Sequence, residues 1–182
     1  MKAFSIVTMC AAALIALPSA ANAALDEGAT APVFATQGAL AGETFAFNLR
    51  SALQKGPVVL YFFPKAFTPG CTLEANAFAA AIDDFKAAGA QVIGMSADNM
   101  DDLKLFSVKE CGSKFPVAMA SPAVIEAYDV KLVMDGKDTG VSDRTSYVIG
   151  QDGKIVMVHS ELDYKDHVRA SLEAVRSIQK GG

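Results

Sequence analysis

Residues 58–71 read Val-Val-Leu-Tyr-Phe-Phe-Pro-Lys-Ala-Phe-Thr-Pro-Gly-Cys, VVLYFFPKAFTPGC. The first six are apolar and rich in β-branched and aromatic side chains, which predicts a short central strand buried on both faces. Past Cys71, Phe78, Ile82 and Phe85 recur at i, i+4 and i+7, the spacing of one helical face, and the pattern stops near Gly89. Cys71 therefore stands where a strand hands over to a helix.

Reading outward from this junction gives alternating elements. AQVIGMSA (90–97) is a second buried strand, and DNMDDLKLFSVKECG (98–112) is a helix with an acidic first turn and Gly112 as its stop. KFPVAMA (114–120) is a third strand. SPAVIEAYDV (121–130) opens with Ser121 as a cap and Pro122 at the first helical position. SYVIG and KIVMVHS, joined by Gln151-Asp152-Gly153, form a hairpin, and Val168, Leu172, Val175 and Ile178 line one face of a last helix. Residues 24–57 carry turn residues and short mixed segments, which predicts an N-terminal β-hairpin extension. The order β-α-β-α-β-α-β-β-α specifies an α/β protein with a central mixed sheet flanked by helices. With a cysteine after the first βα strand, it resembles the thioredoxin fold.

The first 23 residues stand apart. Lys2, an apolar run from Ala3 to Leu17, the break at Pro18 and Ala21-Asn22-Ala23 before Ala24 have the form of a cleaved secretory signal peptide. The run is short for a membrane span, and no second hydrophobic span follows. The expectation is an exported, periplasmic protein with no membrane anchor, folded as a single domain over residues 24–182. Loss of Lys2 leaves 15 Lys and Arg against 20 Asp and Glu. That balance gives no electrostatic case for nucleic acid. Of three cysteines, Cys10 lies in the leader, so only Cys71 and Cys111 remain, in a compartment where disulfides form.

A helix N-terminus offers unpaired N–H groups and the positive end of the helix dipole, and both favour a thiolate over a thiol. The thiolate is the nucleophile. Gly70 lets the backbone turn tightly, Pro64 and Pro69 stiffen the loop, and the Thr68 hydroxyl can donate and accept.

These residues carry a specific resemblance. PKAFTPGC fits the peroxiredoxin signature Pro-x-x-x-Thr-x-x-Cys, and YFFPKAFTPGCTLEA looks like the bacterioferritin-comigratory, PrxQ-type branch. The similarity continues through VIGMSADN, KFPVAMAS and DRTSYVIGQDGKIV. It implies a thiol-dependent peroxidase reducing hydrogen peroxide or alkyl hydroperoxides, with a thioredoxin-like reductant, no cofactor and no metal, as a monomer or homodimer. Residue by residue, it implies Cys71 as the peroxidatic cysteine, Thr68 as hydrogen-bonding to peroxide and thiolate, Pro64 as shelter from water, and Arg144 as the cation that stabilises the thiolate. Glu74 orients an arginine in this reading, or simply charges a helix N-terminus. The rival function is thioredoxin-like thiol–disulfide exchange, but Thr68 occupies the slot where Cys-x-x-Cys needs its first cysteine.

The resemblance leaves the second thiol open. Many PrxQ-type proteins carry a resolving cysteine five residues after the first, and here that position is Asn76. Cys111, at the end of the next helix, is either the resolving thiol or a buried structural cysteine; otherwise an external thiol resolves. Ala66 and Ser146 depart from the family pattern, Ser146 standing where an aromatic is common. The chain lacks the Gly-Gly-Leu-Gly loop and Tyr-Phe tail of overoxidation-sensitive relatives, which implies relative resistance. His159 and His167 lack metal-ligand spacing and read as ordinary surface or helix residues.

Overall fold

The computed structural model describes residues 24–181; the signal-peptide reading concerns residues outside them. The apolar run at 58–62 forms β3 (Val58–Phe62), buried along its whole length. It lies at the middle of a seven-stranded sheet. Parallel to it runs β4 (Gln91–Ser96), followed by β5 (Val117–Met119). On its other side run β8 (Thr145–Ile149) and then β9 (Ile155–Ser160), both antiparallel to their neighbours. The N-terminal hairpin, β1 (Ala35–Leu40) and β2 (Glu43–Asn48), completes the β5 edge, for a strand order β2-β1-β5-β4-β3-β8-β9.

A strand points alternate side chains to opposite faces. Val59, Tyr61 and Phe63 enter one core with α2 (Pro69–Ala87), α3 (Met100–Lys109) and α5 (His167–Gly181). Val58, Leu60 and Phe62 enter the other, with α1 (Leu49–Leu53) and α4 (Pro122–Ala127). Both faces of the sheet are thus covered, as a continuous apolar run requires. Helix α2 is fixed from behind by Phe78, whose ring stacks on Tyr61 with centroids 4.4 Å apart. Such a pair adds about 1 kcal/mol to the area it buries. The helix stops where Gly89 takes φ +72°, a left-handed position that glycine adopts without steric cost.

Beyond the expected order stand a 3₁₀ turn at Tyr164–Asp166 and two further elements. One is the short helix α1. The other is a hairpin, β6 (Lys131–Met134) and β7 (Lys137–Ser142), which forms its own two-stranded sheet. Its turn residues Asp135 and Gly136 have φ of +50° and +72°. Such angles match the twist of a tight hairpin. The third strand is shorter than read, only Val117–Met119.

Candidate active site

Thr68 is the N-cap of α2 with extended backbone, and Pro69 opens the helix, where its missing N–H costs nothing. Cys71 follows in the first turn and is buried, at 1% exposure. The loop before it is pinned: the Ala66 N–H donates to Asp98 Oδ2 at 2.7 Å, and Ser96 Oγ donates to the same oxygen at 2.6 Å. Phe67 holds φ +63° and packs edge-on against Phe106 of α3 at 5.3 Å. Asp98 is a contributor that the sequence reading missed.

Arg144 comes in from the opposite side of the sheet junction, just before β8. Alternate residues from Arg144 onward, Ser146 and Val148, face α2 and α5, while Tyr147 and Ile149 pack in the other core. The Arg144 side chain is nearly fully buried and spends each nitrogen on a named partner. Nε donates to Leu162 O at 2.9 Å, Nη1 pairs with Glu74 Oε2, and Nη2 points at Cys71 Sγ at 3.4 Å. A guanidinium has a rigid planar fork, so fixing two nitrogens aims the third.

Glu74, one turn after Cys71, is fully buried and is not a solvated helix-terminal charge. Burial pushes its carboxyl up to about 8, against the pull of Arg144. Gly70 has a role that its sequence context did not reveal. A Cβ there would lie 3.1 Å from Arg144 Nη2, so the missing side chain makes room for the guanidinium. Thr68 differs from expectation. Its hydroxyl donates to Lys65 O at 2.9 Å, so among the described residues its proton does not reach Cys71 Sγ, and its lone pairs are left to accept. Pro64 is half-buried beside this loop.

Cys111 sits just beyond α3 and is buried as a free thiol, as is Cys71. Its N–H donates to Phe106 O, and Gly112 and Ser113 follow with φ of +58° and +57°. Burial, with Glu110 adding to it, pushes its thiol far above the ordinary range. Among the described residues no cluster of His, Cys, Asp or Glu could hold a metal ion.

The histidines require a correction. His167, the first residue of α5, is fully buried behind Glu74. Its Nδ1 is 2.8 Å from Ser146 Oγ and 3.7 Å from Glu74 Oε1, and its Nε2 is 2.9 Å from Glu161 O. His159, opposite Ser146 on β9, places its ring edge-on to His167 at 4.5 Å. A small Ser146 on a buried strand leaves volume that an imidazole fills, and that was the available sequence signal.

Comparison with known proteins decides the family. The family model described as AhpC/TSA family matches residues 28–158. The chain belongs to this family. It is 32% identical over 126 residues to Peroxiredoxin Bcp of Xanthomonas campestris pv. campestris, covering 68% of this chain and 78% of the relative. It is 30% identical over 125 residues to Peroxiredoxin Bcp of Bacillus subtilis, covering 68% and 80%. Among solved structures, Peroxidoxin BcpB from Mycobacterium tuberculosis superposes with a TM-score of 0.73 at 31% identity, covering 84% of this chain and 97% of that one. Xanthomonas campestris Peroxiredoxin Q superposes with a TM-score of 0.68 at 30% identity, covering 78% and 89%. This AhpC/TSA-family chain is therefore a thiol-dependent peroxidase on a thioredoxin-like fold. The rival exchange reading is not favoured.

Proposed function

We propose that Cys71 is the peroxidatic nucleophile of this peroxidase, acting on hydrogen peroxide or an alkyl hydroperoxide. The observation that carries the assignment is Arg144 Nη2 at 3.4 Å from Cys71 Sγ, at the first turn of α2. A buried cation and a helix N-terminus both favour the thiolate. The thiolate attacks the hydroxyl oxygen of ROOH, the O–O bond breaks, and RO⁻ leaves and takes a proton to become ROH. Cys71 becomes a sulfenic acid. Arg144 stabilises the charge that develops across the two oxygens, and the Thr68 lone pairs accept from the peroxide proton. Pro64 shields the pocket.

Recycling needs a second thiol. Cys111 attacks the sulfenic sulfur, water leaves, and a Cys71–Cys111 disulfide forms. A thioredoxin-like dithiol then reduces it, returning both thiols. Because Cys111 is buried and held as a thiol, this step requires the end of α3 to open. The leader at residues 1–23 supports a periplasmic location, so the reductant would be an exported one.

The experiment adds one equivalent of hydrogen peroxide to the reduced protein and reads intact and peptide masses. The assignment predicts sulfenic acid at Cys71 followed by a Cys71–Cys111 disulfide, and no oxidation in Cys71→Ser. Oxidation elsewhere, with Cys71 intact, overturns it.

A further inference from the structure

The Glu74 carboxylate has one oxygen accounted for and one not. Oε2 pairs with Arg144, whereas Oε1 is buried and accepts no hydrogen bond from any described residue. His167 Nδ1 lies 3.7 Å from Oε1. A buried carboxylate oxygen left bare forfeits its hydration without compensation, so its surroundings call for a proton.

The imidazole shows where that proton can sit. Glu161 O can only accept, so Nε2 carries a hydrogen. In the neutral ring Nδ1 is then an acceptor, taking the Ser146 hydroxyl proton. Nδ1 thus has no hydrogen to give Oε1, and at 3.7 Å the two acceptor atoms are too far apart to share one, so the proton that Oε1 calls for sits on the carboxyl itself.

We propose that His167 is a positioning residue of the peroxide-reducing centre: with Ser146 it forms the wall behind Glu74, and its neutral Nδ1, facing Oε1 with no hydrogen to give, keeps a proton on the Glu74 carboxyl and so sets the charge that Glu74 presents to Arg144 and Cys71. This rests on the peroxidase assignment of Cys71. With the proton in place, the buried centre consists of the Cys71 thiolate and the Arg144 cation, which balance. Without it, Glu74 adds a second negative charge and works against the thiolate. The other groups facing this site are His159 from β9, Asp163 beyond it, and Tyr61 from β3. Burial first, with His159 and Arg144, pushes His167 down to about 4, while burial raises Glu74. The proton therefore resides mainly on the carboxyl.

The test titrates the Cys71 thiolate by its absorbance at 240 nm and measures the single-turnover rate with hydrogen peroxide, in wild type, Glu74→Gln, His167→Gln and His167→Asn. Wild type shows a thiolate rise spread over two steps, because the two ionisations are coupled. Glu74→Gln shows one step. Both His167 variants move the second step down by about one pH unit or more, having lost the Nδ1 acceptor. His167→Gln, which keeps a donor for Glu161 O, reacts about tenfold slower at pH 7. His167→Asn, which also lacks the imidazole, slows to a similar extent. Wild-type titration steps in both His167 variants would overturn the proposal, and with a cooperative melt His167→Asn serves if His167→Gln does not fold. A wild type that reacts with peroxide no faster than a free thiol, yet titrates in two steps, overturns the peroxidase assignment and leaves the proton site standing.

Discussion

Arg144 Nη2 lies 3.4 Å from Cys71 Sγ while Nη1 of the same guanidinium pairs with Glu74. One rigid group thus links the nucleophile to a carboxylate a helical turn away, and it is the part of the centre most exposed to test. Arg144→Leu removes the cation from a buried site. The second-order rate of Cys71 oxidation is expected to fall by about 10²–10³, as when a preorganised charge-stabilising donor is lost. Arg144→Lys, which cannot reach both partners in one plane, is expected to recover little of it. Stopped-flow fluorescence or competition with a reference thiol measures both.

Gly70 separates activity from stability. Its Cβ in Gly70→Ala would press on Arg144 Nη2 at 3.1 Å, and the guanidinium has little room to retreat. Gly70 has no positive φ, so alanine fits its backbone, and glycine-to-alanine replacement in a compatible helix stabilises by about 0.4–1 kcal/mol. Gly70→Ala is therefore expected to melt no lower than wild type while reacting at least about tenfold more slowly. A full-rate variant would mean that Arg144 is not held where the centre needs it.

Much of this was legible from the chain, and for identifiable reasons. The β3 run is apolar on both faces, and the Phe78-Ile82-Phe85 spacing marks α2, because burial on two sides and on one side write different patterns. The β6–β7 hairpin was missed although Asp135-Gly136 is a hairpin turn signal, because its second strand, Lys-Asp-Thr-Gly-Val-Ser, is mostly polar and is exposed over its first four residues. Cys71, Thr68 and Arg144 stood out through a motif. His167 did not, because its importance comes from three elements meeting: the start of α5, Ser146 on β8 and Glu74 on α2. No local spacing records such a meeting.

The buried histidine also has a consequence for acid stability. Its folded value is depressed to about 4 against an ordinary 6.5. A depressed value means that the stabilising contribution is complete above the unfolded value and is lost as pH falls through the folded one. From pH 6.5 down to 4 this is worth on the order of 3 kcal/mol. Glu74 acts with the opposite sign: its raised value favours the fold below about 4.5 and gives way as pH rises through about 8. Urea melts at pH 7 and pH 4.5 should therefore show His167→Gln losing less stability on acidification than wild type.

Resolution should be slower than the first step and sensitive to local opening. Cys111 is enclosed after α3, its N–H on the Phe106 carbonyl and its side chain in the same core as the Phe106 ring that Phe67 packs against. Disulfide formation after a peroxide pulse is expected to accelerate in sub-denaturing urea, whereas sulfenic acid formation is not. In Cys111→Ser the sulfenic acid should persist long enough to be trapped by dimedone and weighed. Unchanged disulfide kinetics across urea would mean that the thiols meet without opening.

The central claim is that this fold makes Cys71 a peroxide-reactive thiolate. Mixing the reduced protein with hydrogen peroxide at pH 7 in a stopped-flow instrument measures that reactivity directly. The account predicts a second-order rate orders of magnitude above that of a free thiolate, abolished in Cys71→Ser and cut in Arg144→Leu. A wild-type rate equal to that of free cysteine would contradict it.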